Sequence, residues 1–219
     1  SALSPAVRQV RLIHILQPGL FPAPVKRIMT KTKKEALLQA AKELFGECGY
    51  VETTFKKISD RAGVALGLLT HHYGNKEKLF LASGLDVLEH FLIKLREATA
   101  DADSGFDAVM RYCKAYLDFS IDKDSNWLVL VRCSPYSDMK TKTDRDLMDS
   151  MFAQVHQLLE TLIARGVSDG SLAKVDNKAT AQILISLMVG ANRTRVLTPY
   201  ALPTLYSDVL DFVARAIKA

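Results

Sequence analysis

Apolar positions recur every three to four residues through most of this chain, the spacing that gathers them on one face of a helix. Leu37, Ala40, Ala41, Leu44, Phe45 and Cys48 share a face from about Thr32 to Cys48, with Thr32 or Thr30 placed to cap the start. Phe55, Ile58 and Ala62 define a short second helix, opened by Thr54 and stopped by Gly63. After a tight Gly63-Val64-Ala65 turn, a third runs from about Leu66 to Tyr73. Gly74 ends it, Asn75 caps a fourth, and Glu77 complements that helix's positive end. Leu81, Leu85, Leu88, Leu92 and Leu95 carry the fourth to about Thr99.

The same reading continues beyond the Asp101–Gly105 loop. Ser104 caps a fifth helix bearing Phe106, Val109, Met110, Cys113 and Leu117. The apolar run from Trp127 to Val131 fits strand or buried helix by period alone; its helical surroundings favour helix, and residues 134–137 break it. Leu147, Met151, Val155, Leu158 and Leu162 predict a long helix from about Thr143 to Gly166, with Gly166 and Gly170 bracketing a turn. Ile183, Leu184, Leu187, Met188 and Ala191 mark another from Asn177 to Leu197. After Pro199 and Pro203, a last helix with Leu205, Val209, Phe212, Val213 and Ala216 runs to Lys218. The expected fold is all-α, with about nine helices and no internal repeat.

Residues 1–28 stand apart. Val7, Val10, Leu12, Ile13 and Ile15 allow a short helix, but Pro18-Gly19 and Pro22-Ala23-Pro24 interrupt any continuation. The apolar stretch is broken by Arg11 and His14, so it makes a poor signal peptide. An N-terminal extension is the preferred reading; a basic arm of Arg8, Arg11, Lys26 and Arg27 is the alternative. No apolar run reaches the roughly 18 residues that span a bilayer, so no membrane association is expected. Cys48, Cys113 and Cys133 are odd in number and widely spaced, which argues against a zinc site or disulfide framework and fits a reducing cytoplasm. All three are expected to be buried small hydrophobes, with a redox sensor as the alternative.

Charge changes the picture more than composition does. Residues 1–80 hold 13 lysines and arginines against 6 acids, whereas residues 81–219 hold 16 against 18. A basic N-terminal third suits a surface that faces phosphates, although a solvated basic face gives the same bias. Two short helices joined by a glycine-containing turn match the helix-turn-helix, whose second helix enters a DNA major groove.

The ordered set Phe45-Gly46-Glu47-Cys48-Gly49-Tyr50, Thr53-Thr54, Ile58-Ser59, Arg61-Ala62-Gly63-Val64, His72-Tyr73 and Asn75-Lys76-Glu77-Lys78-Leu79-Phe80 resembles the DNA-binding domain of the TetR/AcrR family of bacterial transcriptional regulators. The resemblance spans roughly Lys33 to Phe80; beyond it only length and helical character agree. It implies a helix-turn-helix DNA-binding domain at 29–80 and a helical ligand-binding and dimerisation domain at 81–219. It further implies that the third helix faces base edges through Ala65, Leu66, Gly67 and Leu68, with Thr70 and His71 further along. Lys33, Thr54 and Lys76 take phosphate-contacting roles by the same resemblance, and His72 and Tyr73 seal the small domain's core. The lysines near the start of the first helix oppose its dipole, so helix stability does not account for them.

The chain departs from the family pattern at the reading face. A Ser or Thr is common where Ala65 stands, a Lys or Arg at Leu66, and a phosphate-binding Tyr at Thr70. Leu66 can pack on a thymine methyl but cannot make a bidentate bond to guanine. Sparse direct readout, with more weight on phosphate contacts and DNA shape, is therefore expected.

For the C-terminal part the resemblance implies an effector pocket and a homodimer. Phe91, Tyr112, Tyr116, Phe119, Trp127, Phe152, His156 and Met188 are the pocket candidates, with plain core packing as the competing reading of each. Leu184, Leu187, Ala191, Val209, Phe212 and Val213 are the candidates for a four-helix dimer interface. The expected function is a ligand-responsive repressor that binds a palindromic double-stranded operator as a homodimer and is released by a small apolar or amphipathic effector. A DNA-binding activator or architectural protein without sensing is the alternative. An all-helical enzyme is a distant third, since no H-E-x-x-H motif, Gly-rich phosphate loop or Ser/His/Asp order occurs. No catalytic residue, metal ligand or cofactor is expected.

Overall fold

Local capping chemistry sets the first helix. In the computed structural model, which describes residues 32–133 and 141–219, the Thr32 hydroxyl accepts from the Glu35 N–H at 3.2 Å. The Glu35 carboxylate accepts from the Thr32 N–H at 2.8 Å, which closes a capping box. Helix α1 (Lys33–Glu52) then runs to a kink at Gly49, whose φ of 78° is costly for any residue with a Cβ. The kink frees carbonyls, and the Thr53 hydroxyl donates to those of Leu44 and Gly49. Expectations for residues 1–28 and the break at 134–137 lie outside the described residues.

Helix α2 (Phe55–Ala62) opens on Thr54, whose hydroxyl accepts from the Lys57 N–H, and closes on Gly63 at φ 62°. Helix α3 (Leu66–Tyr73) follows, and α4 (Lys76–Thr99) opens on the Asn75 side chain, which accepts from the Lys78 N–H. Leu37, Ala41, Phe45, Ile58, Leu69, Leu79 and Phe80 converge into the core of this four-helix end, with Phe45, Tyr50 and Phe80 in edge and stacked ring contacts. A bidentate Arg61–Glu47 pair ties α2 to α1, and its hydrogen bonds hold the Glu47 carboxyl below the usual carboxylate range.

The remaining helices are α5 (Gly105–Ile121), α6 (Leu128–Arg132), α7 (Lys142–Asp169), α8 (Asn177–Leu197) and α9 (Leu205–Ile217). The described residues thus hold nine α-helices and one 3-10 turn (Lys123–Ser125), with an isolated bridge between Leu172 and Lys218 as the only extended pairing. Residues Lys31–Ala219 form one compact unit, and the 80/81 boundary expected from the sequence falls inside the continuous α4. Among the described residues no helix is long and apolar enough to cross a membrane.

Two sequence expectations need correction. Gly166 does not bracket a turn: α7 continues to Asp169, and Gly166 sits inside it because α5 crosses there. A Cβ on Gly105 would lie 2.1 Å from the Gly166 Cα and backbone nitrogen, so the crossing admits no side chain. The cysteines also differ from expectation. Cys113 and Cys133 are buried, and burial pushes the Cys113 thiol up to about 12, but Cys48 is exposed on α1.

Candidate nucleic-acid interface and adjoining cavity

Leu69 is fully buried and roots α3 against α1 and α2, so the rest of that helix is turned outward. Ala65, Leu66, Gly67, Thr70 and His71 are exposed and Leu68 is half-buried. The surface is nearly without donors: Leu66 presents a large apolar side chain, and the Thr70 hydroxyl donates back to the Leu66 carbonyl at 3.3 Å. Lys33 and Thr54 are exposed at the N-termini of α1 and α2, where helix dipoles favour anions.

Lys76 does structural work that its sequence position does not reveal. Its ammonium lies 4.4 Å from the Tyr50 ring centre and donates to the Val51 carbonyl at 3.2 Å, bracing the kinked end of α1 against the start of α4. His72 is corrected. The resemblance makes it a packing residue, but it is exposed, whereas half-buried Tyr73 donates its hydroxyl to the Lys34 carbonyl.

Behind this face a cavity of about 470 Å³ opens among α5, α6, α7 and α8. Tyr116, Trp127, Phe152 and His156 of the pocket candidates border it. Phe91, Tyr112, Phe119 and Met188 are not among its described lining and lie in the core instead. Phe91 contacts the rings of Tyr116, Phe119 and Trp127 at centroid distances of 4.9–5.0 Å, and the buried Tyr112 hydroxyl donates to the Val155 carbonyl. Residues outside the sequence's pocket candidates complete the wall: Leu130, Val131, Arg132, Cys133, Val189, Asn192 and Arg193. A larger cleft of about 630 Å³ lies on the other side of Trp127, but carries charges of both signs, including Lys42, Glu43, Glu47, Asp122, Lys123 and Arg195.

The cavity walls are clipped to the α1–α4 end at two places. From α6, Arg132 donates to the Glu47 carbonyl and the Cys133 thiol to the Phe45 carbonyl, both on α1. Close approach at Gly46, where a Cβ would come within 3.0 Å of the Leu128 Cβ, holds the same two helices together. From the start of α7, Asp144 takes both its oxygens to Lys78 of α4 at 2.6 and 2.8 Å, and the Thr141 N–H donates to Glu77. None of these long-range pairs is visible in local sequence pattern.

The dimer candidates are corrected by burial. Leu184, Ala191, Val209 and Val213 are buried in the chain's own helix packing. Phe212 is 57% exposed and Ile183 66%, with half-buried Leu187 and open Gly190 on the same side of α8 as Ile183. The outward apolar face is therefore Ile183, Leu187, Gly190 and Phe212.

Comparison with known proteins agrees with this architecture. Residues 37–83 match the family model described as bacterial regulatory proteins, tetR family. An uncharacterised HTH-type transcriptional regulator of Bacillus subtilis, YhgD, is 23% identical over 161 residues, covering 74% of this chain and 83% of that protein. A bacterial regulatory protein in the tetR family from Rhodococcus superposes with a TM-score of 0.72 at 19% identity, covering 87% of this chain and 99% of that one. AibR in complex with isovaleryl coenzyme A and operator DNA superposes with a TM-score of 0.70 at 16% identity, covering 84% and 97%.

Proposed function

Because this chain belongs to the TetR family of bacterial transcriptional regulators, we propose that it is a ligand-responsive repressor that binds a palindromic operator as a homodimer. Residues 29–80 read DNA in this proposal, residues 81–219 sense and dimerise, and α4 is shared between them. The observation that carries it is the position of α6 and α7, which wall the cavity and also clip to α1 and α4. A molecule that spreads the cavity bears on both clips, so the DNA-facing end has a different preferred position with and without it. Only a difference in effector affinity between the two positions is required. AibR, solved with isovaleryl coenzyme A and operator DNA in one complex, is a neighbour of the same fold that supports this reading.

Ala65, Leu66, Gly67, Leu68, Thr70 and His71 are the proposed base-facing set, with Lys33, Thr54 and Lys76 on phosphates. Leu66 against a thymine methyl supplies the strongest direct contact, and groove shape supplies the rest. Anisotropy titrations on promoter-proximal DNA across a salt series test this. Lys33 makes no ion pair among the described residues, so Lys33→Ala is expected to flatten the log–log salt slope by about 1 while sparing sequence preference. Lys76→Ala should also loosen α1, so it lowers stability as well as affinity. Unselective binding by the parent protein, on operators selected from random DNA, would overturn the specific-regulator reading.

The dimer is proposed to form through Ile183, Leu187, Gly190 and Phe212. Gly190, with open space around its Cα, lets a second helix approach closely. In sedimentation velocity, Ile183→Asp with Phe212→Asp is expected to weaken self-association about 100-fold or more, because each chain then brings two unpaired carboxylates to the proposed interface, four in the dimer. A dimer that persists unchanged in that variant places the interface elsewhere.

A further inference from the structure

The cavity among α5 to α8 is apolar in body and cationic at its rim. Arg132 and Arg193 are exposed there, and half-buried His156 stands beside them; no Asp or Glu is among the described lining residues. Neither arginine pairs with a carboxylate among the described residues. Each gives one N–H to a backbone carbonyl, Arg132 to Glu47 and Arg193 to Val131, out of the five that a guanidinium carries. Like charges gathered at one opening without counter-charge repel each other, and an anion relieves that repulsion.

Deeper in, two buried polar groups lack partners. The Trp127 indole N–H is unsatisfied in a residue only 6% exposed, and Asn192, 1% exposed, has one amide atom unpaired while Tyr206 donates to the other. Both residues border the cavity. Buried polar groups are ordinarily satisfied, so a ligand's oxygen is a fitting partner for the indole. Leu130, Val131, Phe152 and Val189 leave the rest of the wall apolar.

We propose that this cavity takes an anionic amphiphile, a carboxylate carried on an apolar body, with its charge held by Arg132 and Arg193 at the rim. The proposal rests on the effector reading above and narrows it to one charge class. The volume of about 470 Å³ is within the range of small-molecule sites.

Trp127 is the only tryptophan in the chain and borders both this cavity and the larger cleft, so its fluorescence reports on either. The variants of Arg132 and Arg193, which line this cavity and not the cleft, assign the signal. The full chain is titrated with straight-chain carboxylates of four to ten carbons, and with alcohols and amines of equal length, below their aggregation limits. Carboxylates are expected to change Trp127 emission saturably, and alcohols to bind about tenfold more weakly or worse. Arg193→Gln, at an exposed position outside the larger cleft, should abolish most of that preference, and Arg132→Gln should do so independently. Alcohols matching carboxylates, a preference untouched in both variants, or no saturable response to any carboxylate would each overturn the proposal. Operator release, followed by anisotropy with the same compounds, separates the two claims. Release by a neutral or cationic molecule leaves the effector reading standing and refutes only the anionic class.

Discussion

Gly105→Ala is expected to lose about 3 kcal/mol or more of stability, read as the urea midpoint and slope of helix unfolding by circular dichroism. The added methyl would lie 2.1 Å from both Cα and N of Gly166 and 2.8 Å from the Arg165 carbonyl carbon. These are backbone atoms of another helix, so no rotamer change relieves the clash; α5 and α7 must separate. Overpacking in well-filled cores typically costs 1–3 kcal/mol, and a backbone clash belongs at or beyond the upper end of about 3. The crossing is further pinned by the Gly105 N–H donating to Asp169 and the Phe106 N–H to Ser171. Separation would break those bonds as well. Gly67→Ala serves as the control, since a Cβ there meets nothing within 4 Å. It should leave the unfolding free energy within about 0.5 kcal/mol of the parent or slightly raise it, as Ala is the better helix former.

Lys78→Met is expected to be the next largest loss, about 2 kcal/mol, and to weaken the coupling between cavity and operator. Asp144 is 3% exposed, while the Lys78 side chain is about half exposed. Removing the lysine leaves a carboxylate buried without its partner, a change that costs 3–5 kcal/mol when both groups are fully buried. Water reaching the Lys78 side reduces that here. Replacing both together, Lys78→Met with Asp144→Leu, should recover most of the stability, because two apolar groups need no partner. The double variant should still bind operator DNA yet release it less completely when effector is added, since the α7 clip to α4 is gone. Full release with unchanged effector dependence in the double variant would assign the coupling to α6 alone.

Much of the helix layout from α1 to α5 could be read from the chain because its signals are local. Thr32, Thr54, Asn75 and Ser104 each accept from the backbone three residues on, as their types and positions predict. Gly63 takes the left-handed conformation that a three-residue turn requires. The C-terminal helices were legible in extent but not in facing. In α8, Ile183, Leu184, Ile185, Leu187, Met188 and Val189 put apolar groups nearly all round, so periodicity alone could not choose the inward side. Leu184 and Met188 turned inward and Ile183 outward. Gly166 looked like a helix stop because glycine usually marks one; its reason, a crossing with Gly105, lies 61 residues away in sequence. The rim arginines of the cavity are likewise set by tertiary placement. Arg132 and Arg193 belong to helices far apart in the chain, and each carries an ordinary solvated charge when read alone.

The unbroken run of α4 sets a scale for how little movement is needed. At about 1.5 Å per residue, its 24 residues make a lever about 36 Å long, from Lys76 to Thr99. Pivoting that lever by about 5° around its Thr99 end carries the Lys76 end through about 3 Å. Successive base pairs along a strand are about 3.4 Å apart. In the proposed dimer such a rotation would displace each half by nearly one base-pair step, enough to put two half-sites out of phase.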